Sequence, residues 1–114
     1  MSASQRAGLR EVWKTFREIV ADLRGFLETD DYRYVVMAYE KAESLASSKE
    51  VVELSGVRDL LENLRHMRDR LEKSGYKLST LEHGLLAQQA VYVISRSNIL
   101  ATGLEFRFKR ARGG

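Results

Sequence analysis

The chain contains no cysteine and no proline. Without cysteine there is no disulfide, no thiolate ligand for zinc and no cysteine nucleophile. Average usage of about 5% would place roughly five or six prolines in a chain of this length. Proline ends helices and shapes loops, so its absence points to nearly continuous helix with short connections. Side-chain amides are scarce too, the set being Gln5, Asn63, Gln88, Gln89 and Asn98. Few thermolabile residues beside many ion-pairing ones fit a hot environment. No apolar run approaches the ~18 residues that a membrane span requires. Arg10, Glu11, Lys14 and Arg17 interrupt the N-terminal apolar positions, so neither a secretory leader nor a membrane partner is expected, and the expected location is cytoplasmic.

What is present is the composition of one globular domain: 114 residues, 44% hydrophobic and 31% charged. Its charge is unevenly placed. The chain has 19 Lys and Arg against 16 Asp and Glu; the last ten residues hold four bases and one acid, which leaves 15 of each in the body. Arg107, Lys109, Arg110 and Arg112 therefore account for the whole net charge of +3. From Glu28 to Glu53, by contrast, seven acids face only Arg33, Lys41 and Lys49. Such polarity favours head-to-tail contact between copies or orientation on a charged partner.

Hydrophobic spacing predicts four helices. Leu9, Val12, Trp13, Phe16, Ile19, Val20, Leu23, Phe26 and Leu27 recur at steps of three and four, which makes one apolar stripe. Ser4 is the expected N-cap, and Thr29-Asp30-Asp31 a turn that also caps the next helix. The second helix covers Tyr32 to Ala46 with Val35, Val36, Tyr39, Ala42 and Leu45 inward. Ser47 with Glu50 has the capping-box form, so a third helix is expected from about Ser48 to Ser74-Gly75, with Gly56 as a kink or the true start. Ser79 with Glu82 opens the fourth, from Thr80 to Ala101. Its stretch Leu85–Ile94 is uncharged, and a helix apolar on most faces must be surrounded, either at the centre of the fold or in the seam of an oligomer. Thr102-Gly103 is expected to end it. Leu104, Phe106 and Phe108 then alternate with Glu105, Arg107 and Lys109, a period of two that suits extended chain. The expected architecture is all-α: an up-down four-helix bundle over residues 1–103, with a short extended basic tail over 104–114. An obligate dimer of helical hairpins is the competing architecture. Trp13→Ala is expected to cost ~3–5 kcal/mol from its place on the first stripe.

Catalytic groups are not assembled in the sequence. His66 and His83 are isolated from any metal-ligand spacing, so no metal and no cofactor is expected. The pairs Asp30-Asp31, Glu40-Glu43 and Glu50-Glu53 lie on polar helix faces. No glycine-rich loop opens a helix and no serine sits in a Gly-x-Ser-x-Gly elbow. The expected protein is not an enzyme.

The remaining signal is cationic and aromatic. Phe106 and Phe108 interleave with Arg107, Lys109 and Arg110, a pattern able to stack on bases and pair with phosphates. Arg58, Arg65 and Arg68 recur along one side of the third helix and extend the track. These residues suit a non-enzymatic subunit of a nucleoprotein assembly that grips nucleic-acid backbone, DNA or RNA, with little sequence specificity. Four tail cations would give a salt slope of about −3 to −4 on duplex DNA. The other reading is a protein–protein adaptor or self-assembling structural protein, a homo-oligomer whose tail docks on a neighbouring subunit. Truncation after Gly103 would abolish nucleic-acid binding under the first reading and dissociate the oligomer under the second.

Overall fold

The structure, a computed structural model, describes the backbone of residues 3–113 and the side chains of residues 8–48 and 51–109. Five helices follow in order: α1 (Ala3–Thr29), α2 (Arg33–Ala46), α3 (Lys49–Val52), α4 (Val57–Lys73) and α5 (Thr80–Gly113). No strand occurs among the described residues. The all-α class is the expected one, with four long helices and the single turn of α3 between them. Its longest dimension, 52 Å, is that of α5, whose 34 residues span ~51 Å at 1.5 Å per residue.

The stripe of α1 is buried as its spacing implies: Val12, Phe16, Ile19, Val20, Leu23 and Phe26 lie inside, and only Leu27 at its end is exposed. α1 already includes Ser4, whose side chain lies outside the described ones. Asp30 closes the helix in the left-handed region, φ 61, where Asp is tolerated better than most residues. Tyr32 is the N-cap of α2 and makes no side-chain cap bond; Asp31 just before it accepts the Arg33 backbone N–H at 3.0 Å. The side-chain hydrogen bond from Arg33 holds the Asp31 carboxyl below its ordinary value. α2 buries Val35, Ala38, Ala42 and Leu45. Gly25 has a specific use here, because a Cβ on it would lie 2.8 Å from the Tyr34 ring. The ring occupies that space and lets α1 and α2 approach closely.

Gly56 settles the third segment. With φ 91 it takes a conformation that favours glycine and separates α3 from α4. Ser48, and not Ser47, serves the start of α3, its Oγ facing the Val51 N–H at 3.4 Å. α4 ends in a Schellman motif: the Tyr76 N–H donates to the Leu71 carbonyl at 2.8 Å and the Gly75 N–H to the Glu72 carbonyl at 3.1 Å. The capping box expected at α5 makes both of its bonds, Glu82 N–H to Ser79 Oγ at 3.1 Å and Ser79 N–H to Glu82 Oε1 at 3.3 Å.

The main correction concerns the end of the chain. α5 does not stop at Thr102-Gly103, and residues 104–113 are helical, not an extended tail. Leu104 and Phe108 are four residues apart, which is helical spacing as much as it is alternation. Leu104 is 3% exposed, and Phe108 packs against the core. The Arg10 guanidinium lies 5.7 Å from the centre of the Phe108 ring, and the Trp13 indole N–H donates to Glu105 Oε1 at 2.9 Å. Burying two such side chains contributes ~1.5–3 kcal/mol each, which outweighs the ~1 kcal/mol that Gly103 costs a helix.

α1 packs on α2 and α5, α2 on α4, and α4 on α5. Phe16, Phe26, Leu60, Leu64, Met67, Leu71, Leu86 and Val93 are fully buried between them. Two polar side chains share that interior. Asp22 is answered by Lys41 Nζ at 2.6 Å. Ser97 is fully buried and its hydroxyl has no hydrogen-bond partner among the described residues.

Candidate functional site

α5 buries one side, and among the described residues no helix packs over the other. Leu86, Ala90, Val93, Ser97, Ala101 and Leu104 face inward. On the opposite side Leu81, Leu85, Gln88, Tyr92, Ser95, Ile99, Thr102 and Phe106 follow at alternating steps of four and three, and all eight are exposed. Leu81 is 74% exposed, Ile99 59% and Phe106 63%. No charged residue interrupts this line over its whole length. Val91, 55% exposed, widens it. Gly84 and Gly103 lie on the same side, with open space where a Cβ would be. The uncharged helix is therefore not the centre of the fold. It is an outer helix whose uncharged outer face carries Leu81, Leu85, Tyr92, Ile99 and Phe106 with Gln88, Ser95 and Thr102 between them; single scattered apolar residues would need no explanation, whereas five aligned on one face do.

The margins of this face are polar and held in place. Along the α4 margin, the Tyr92 hydroxyl donates to Asp59 Oδ2 at 2.5 Å, and this hydrogen bond first raises the Tyr92 pKa. Gln89 Nε2 donates to Asn63 Oδ1 at 3.0 Å. Along the α1 margin, Arg17 Nη1 reaches Asn98 Oδ1 at 3.4 Å.

The cations expected to form one track do not lie together. Helical geometry puts residues two apart on nearly opposite sides, so Arg107 and Lys109, both exposed, diverge. Phe106 points outward and Phe108 inward, where it packs on the core. Arg110 and Arg112 lie outside the residues whose side chains are described. Arg58 is exposed at the start of α4. Arg65 is engaged with Glu43 on α2 at 2.5 Å, instead of with Asp69 along its own helix. Arg68 lies over the Tyr39 ring at 4.5 Å and donates to Glu72 at 3.2 Å. The hydrogen bond from Arg65 lowers the Glu43 pKa, so the pair contributes at neutral pH and fades only as pH falls through the carboxylate range.

A basic row that the charge count did not reveal lies on α1. Arg10, Lys14, Arg17 and Arg24 are all exposed and recur at helical spacing, beside the C-terminal part of α5. Their signal was readable as spacing, but Glu11, Glu18 and Asp22 offset three of the four in a sum along the chain.

His66 is exposed. His83 is not a plain surface residue. Its Nδ1 lies 2.8 Å from the Tyr32 hydroxyl and its Nε2 3.0 Å from Asp30 Oδ1, with the Phe26 ring 5.6 Å away. The group ties the α1–α2 turn to the start of α5. Burial pushes the Tyr32 hydroxyl up from its ordinary value, with Asp30 and Glu82 adding to the effect. Among the described residues, no three His, Asp or Glu side chains gather as a metal site, and no helix is long and apolar enough to cross a membrane. One surface cleft is lined by charged side chains where His66, Asp69, Arg70, Lys73 and Glu82 meet, and another, between α4 and α5, by Asp59, Asn63, Leu85, Gln88 and Tyr92. No protein-family model, no curated protein and no solved structure matches this chain.

Proposed function

We propose that the protein is a non-enzymatic structural subunit that works by assembling, with the outer face of α5 as its assembly surface. The observation that carries this reading is the uninterrupted, exposed and uncharged row from Leu81 to Phe106. Apolar surface left in water forgoes about 25 cal/mol for each Å² that could be covered. A face of this length is retained where something covers it. In this reading the bundle is up-down. The pairs Asp22–Lys41, Glu43–Arg65, Asn63–Gln89 and Trp13–Glu105 fit long helices that alternate in direction and brace α5 from behind. The experiment is uptake of an apolar fluorescent dye by wild-type protein and by Ile99→Glu, at a concentration where each is monomeric. Wild-type uptake, with loss of most of it in Ile99→Glu and an unchanged melting temperature, is the expected result. A wild-type monomer that takes up no dye would end the reading.

A second reading, retained because of the α1 row, is that the assembly carries nucleic acid. Arg10, Lys14 and Arg17 with Lys109 offer four exposed cations, and four phosphate contacts give a salt slope of about −3 to −4 on duplex DNA. Truncation after Gly103 is no clean test of it, since the deletion also strips Leu104 and Phe108 from the core. The charge-reversed protein Arg10→Glu/Lys14→Glu/Arg17→Glu changes only exposed side chains, and its circular dichroism melt serves as the control for the fold. In an anisotropy titration against single- and double-stranded oligonucleotides at two salt concentrations, it should bind far more weakly than wild type. Equal binding by the two proteins, or none by either, would sink this reading.

A further inference from the structure

Who covers α5 is written into the face itself. Resting on the assembly reading above, we propose that the occupant is a second copy of this chain, paired through α5 in antiparallel about a two-fold axis level with Val93 and Ile94. Three observations converge on this. The first is period. Alternating steps of four and three over Leu81–Phe106 are those of a seam between two helices crossing at a shallow angle. Faces ~38 Å long on helices ~10 Å across cover together roughly 760 Å², the scale of a weak, concentration-dependent pair.

The second is size. With the axis at the midpoint of the row, Tyr92 falls opposite the partner's Ser95, Leu85 opposite the partner's Thr102 and Gly103, and Phe106 opposite the partner's Leu81. At two of the four levels a large side chain thus meets a small one, as interdigitated packing requires; Ile99 falls opposite the partner's Gln88, and at the ends Phe106 meets Leu81 apolar on apolar. A parallel pair would instead set Phe106 on Phe106 and Tyr92 on Tyr92.

The third is charge. Glu82 stands in the first turn of α5 and Arg107 near its other end. They are 25 residues apart, hence within about 20° of one line along the helix. Antiparallel pairing places the Arg107 of each copy beside the Glu82 of the other. Parallel pairing would gather both copies of Arg107 and Lys109 at one end and repel. The row itself is uncharged, so the charges beside it decide direction.

The absence of native cysteine makes the geometry directly readable. Sedimentation velocity over a concentration series should give twice the 13.1 kDa chain mass for wild type. Ile99→Glu, at a solvent-facing position, should dissociate roughly 100-fold more readily, because it leaves a charge desolvated in the seam. Under oxidation Ser95→Cys should form a disulfide-linked dimer, its two copies lying close to the axis. Thr102→Cys should not, since its copies lie ~25 Å apart along the helices. Linkage of both variants would mean a parallel pair and overturn the proposal. A wild-type monomer that takes up the apolar dye would overturn the second copy as occupant while leaving the assembly reading in place. A monomer that takes up none would overturn both.

Discussion

Phe16→Ala is expected to lower the unfolding free energy by ~3–5 kcal/mol, the range for an aromatic side chain deleted from a packed interior. Phe16 is 0% exposed and lies in the middle of α1, which packs on α2 to one side and α5 to the other. The hole left by the ring cannot be closed by one helix without disturbing its packing on the other. A domain of this size has about 5–15 kcal/mol in all, so the melting temperature should fall by on the order of 10–20 °C. Trp13, on the same stripe, is expected to cost less. It is only half-buried, at the edge of the core, with its indole N–H on Glu105. Chemical unfolding followed by circular dichroism orders the two. A Phe16→Ala loss under ~1 kcal/mol, or a larger loss from Trp13→Ala, would place the centre of the core elsewhere.

The difference between these two residues shows where the amino-acid pattern is legible and where it stops. Spacing locates the buried line of α1, because a period of 3.6 needs nothing but the helix itself. Local chemistry is equally readable: Ser79 and Glu82 form their capping box, and Gly75, φ 62, ends α4. Depth within the core depends on which helices lie on either side, and no single stripe contains that. Ala38 and Tyr34 were missed on α2 for this reason, since their roles arise from the close approach of α1 at Gly25. The end of the chain failed differently. Five alternating residues fit two periods at once, and Leu104 and Phe108 follow the helical one only because α1 offers them a surface. That misreading also hid the candidate site. Ending the helix at Gly103 cuts Phe106 from the row, leaves an uncharged segment that looks central, and turns an interaction face into a core helix plus a tail. The basic row of α1 was hidden by arithmetic along the chain, because Glu11 and Glu18 stand beside it and lower the local sum.

Lys41→Met is expected to destabilise the protein by about 2–3 kcal/mol, and more than Asp22→Asn does. Removing one member of a buried ion pair typically costs ~3–5 kcal/mol; the lower figure here allows for solvent at Lys41, whose side chain is 32% exposed against 10% for Asp22. The same asymmetry sets the order of the two variants. Without Lys41, the Asp22 carboxylate is fixed on the buried side of α1 with no cation at 2.6 Å and little access to water. Without the Asp22 charge, Lys41 keeps a flexible stem of four carbons that carries its ammonium outward. The double variant Asp22→Leu/Lys41→Met leaves neither charge stranded and should recover most of the loss, since replacing a buried pair by apolar residues of similar volume is often close to neutral. A double-mutant cycle in urea reads all three, and it separates the coupling of the pair from the cost of stranding one charge. Equal losses from the two single variants, or a double variant no better than Lys41→Met, would mean that water reaches Asp22 and that the α1–α2 contact is held by its apolar side chains alone.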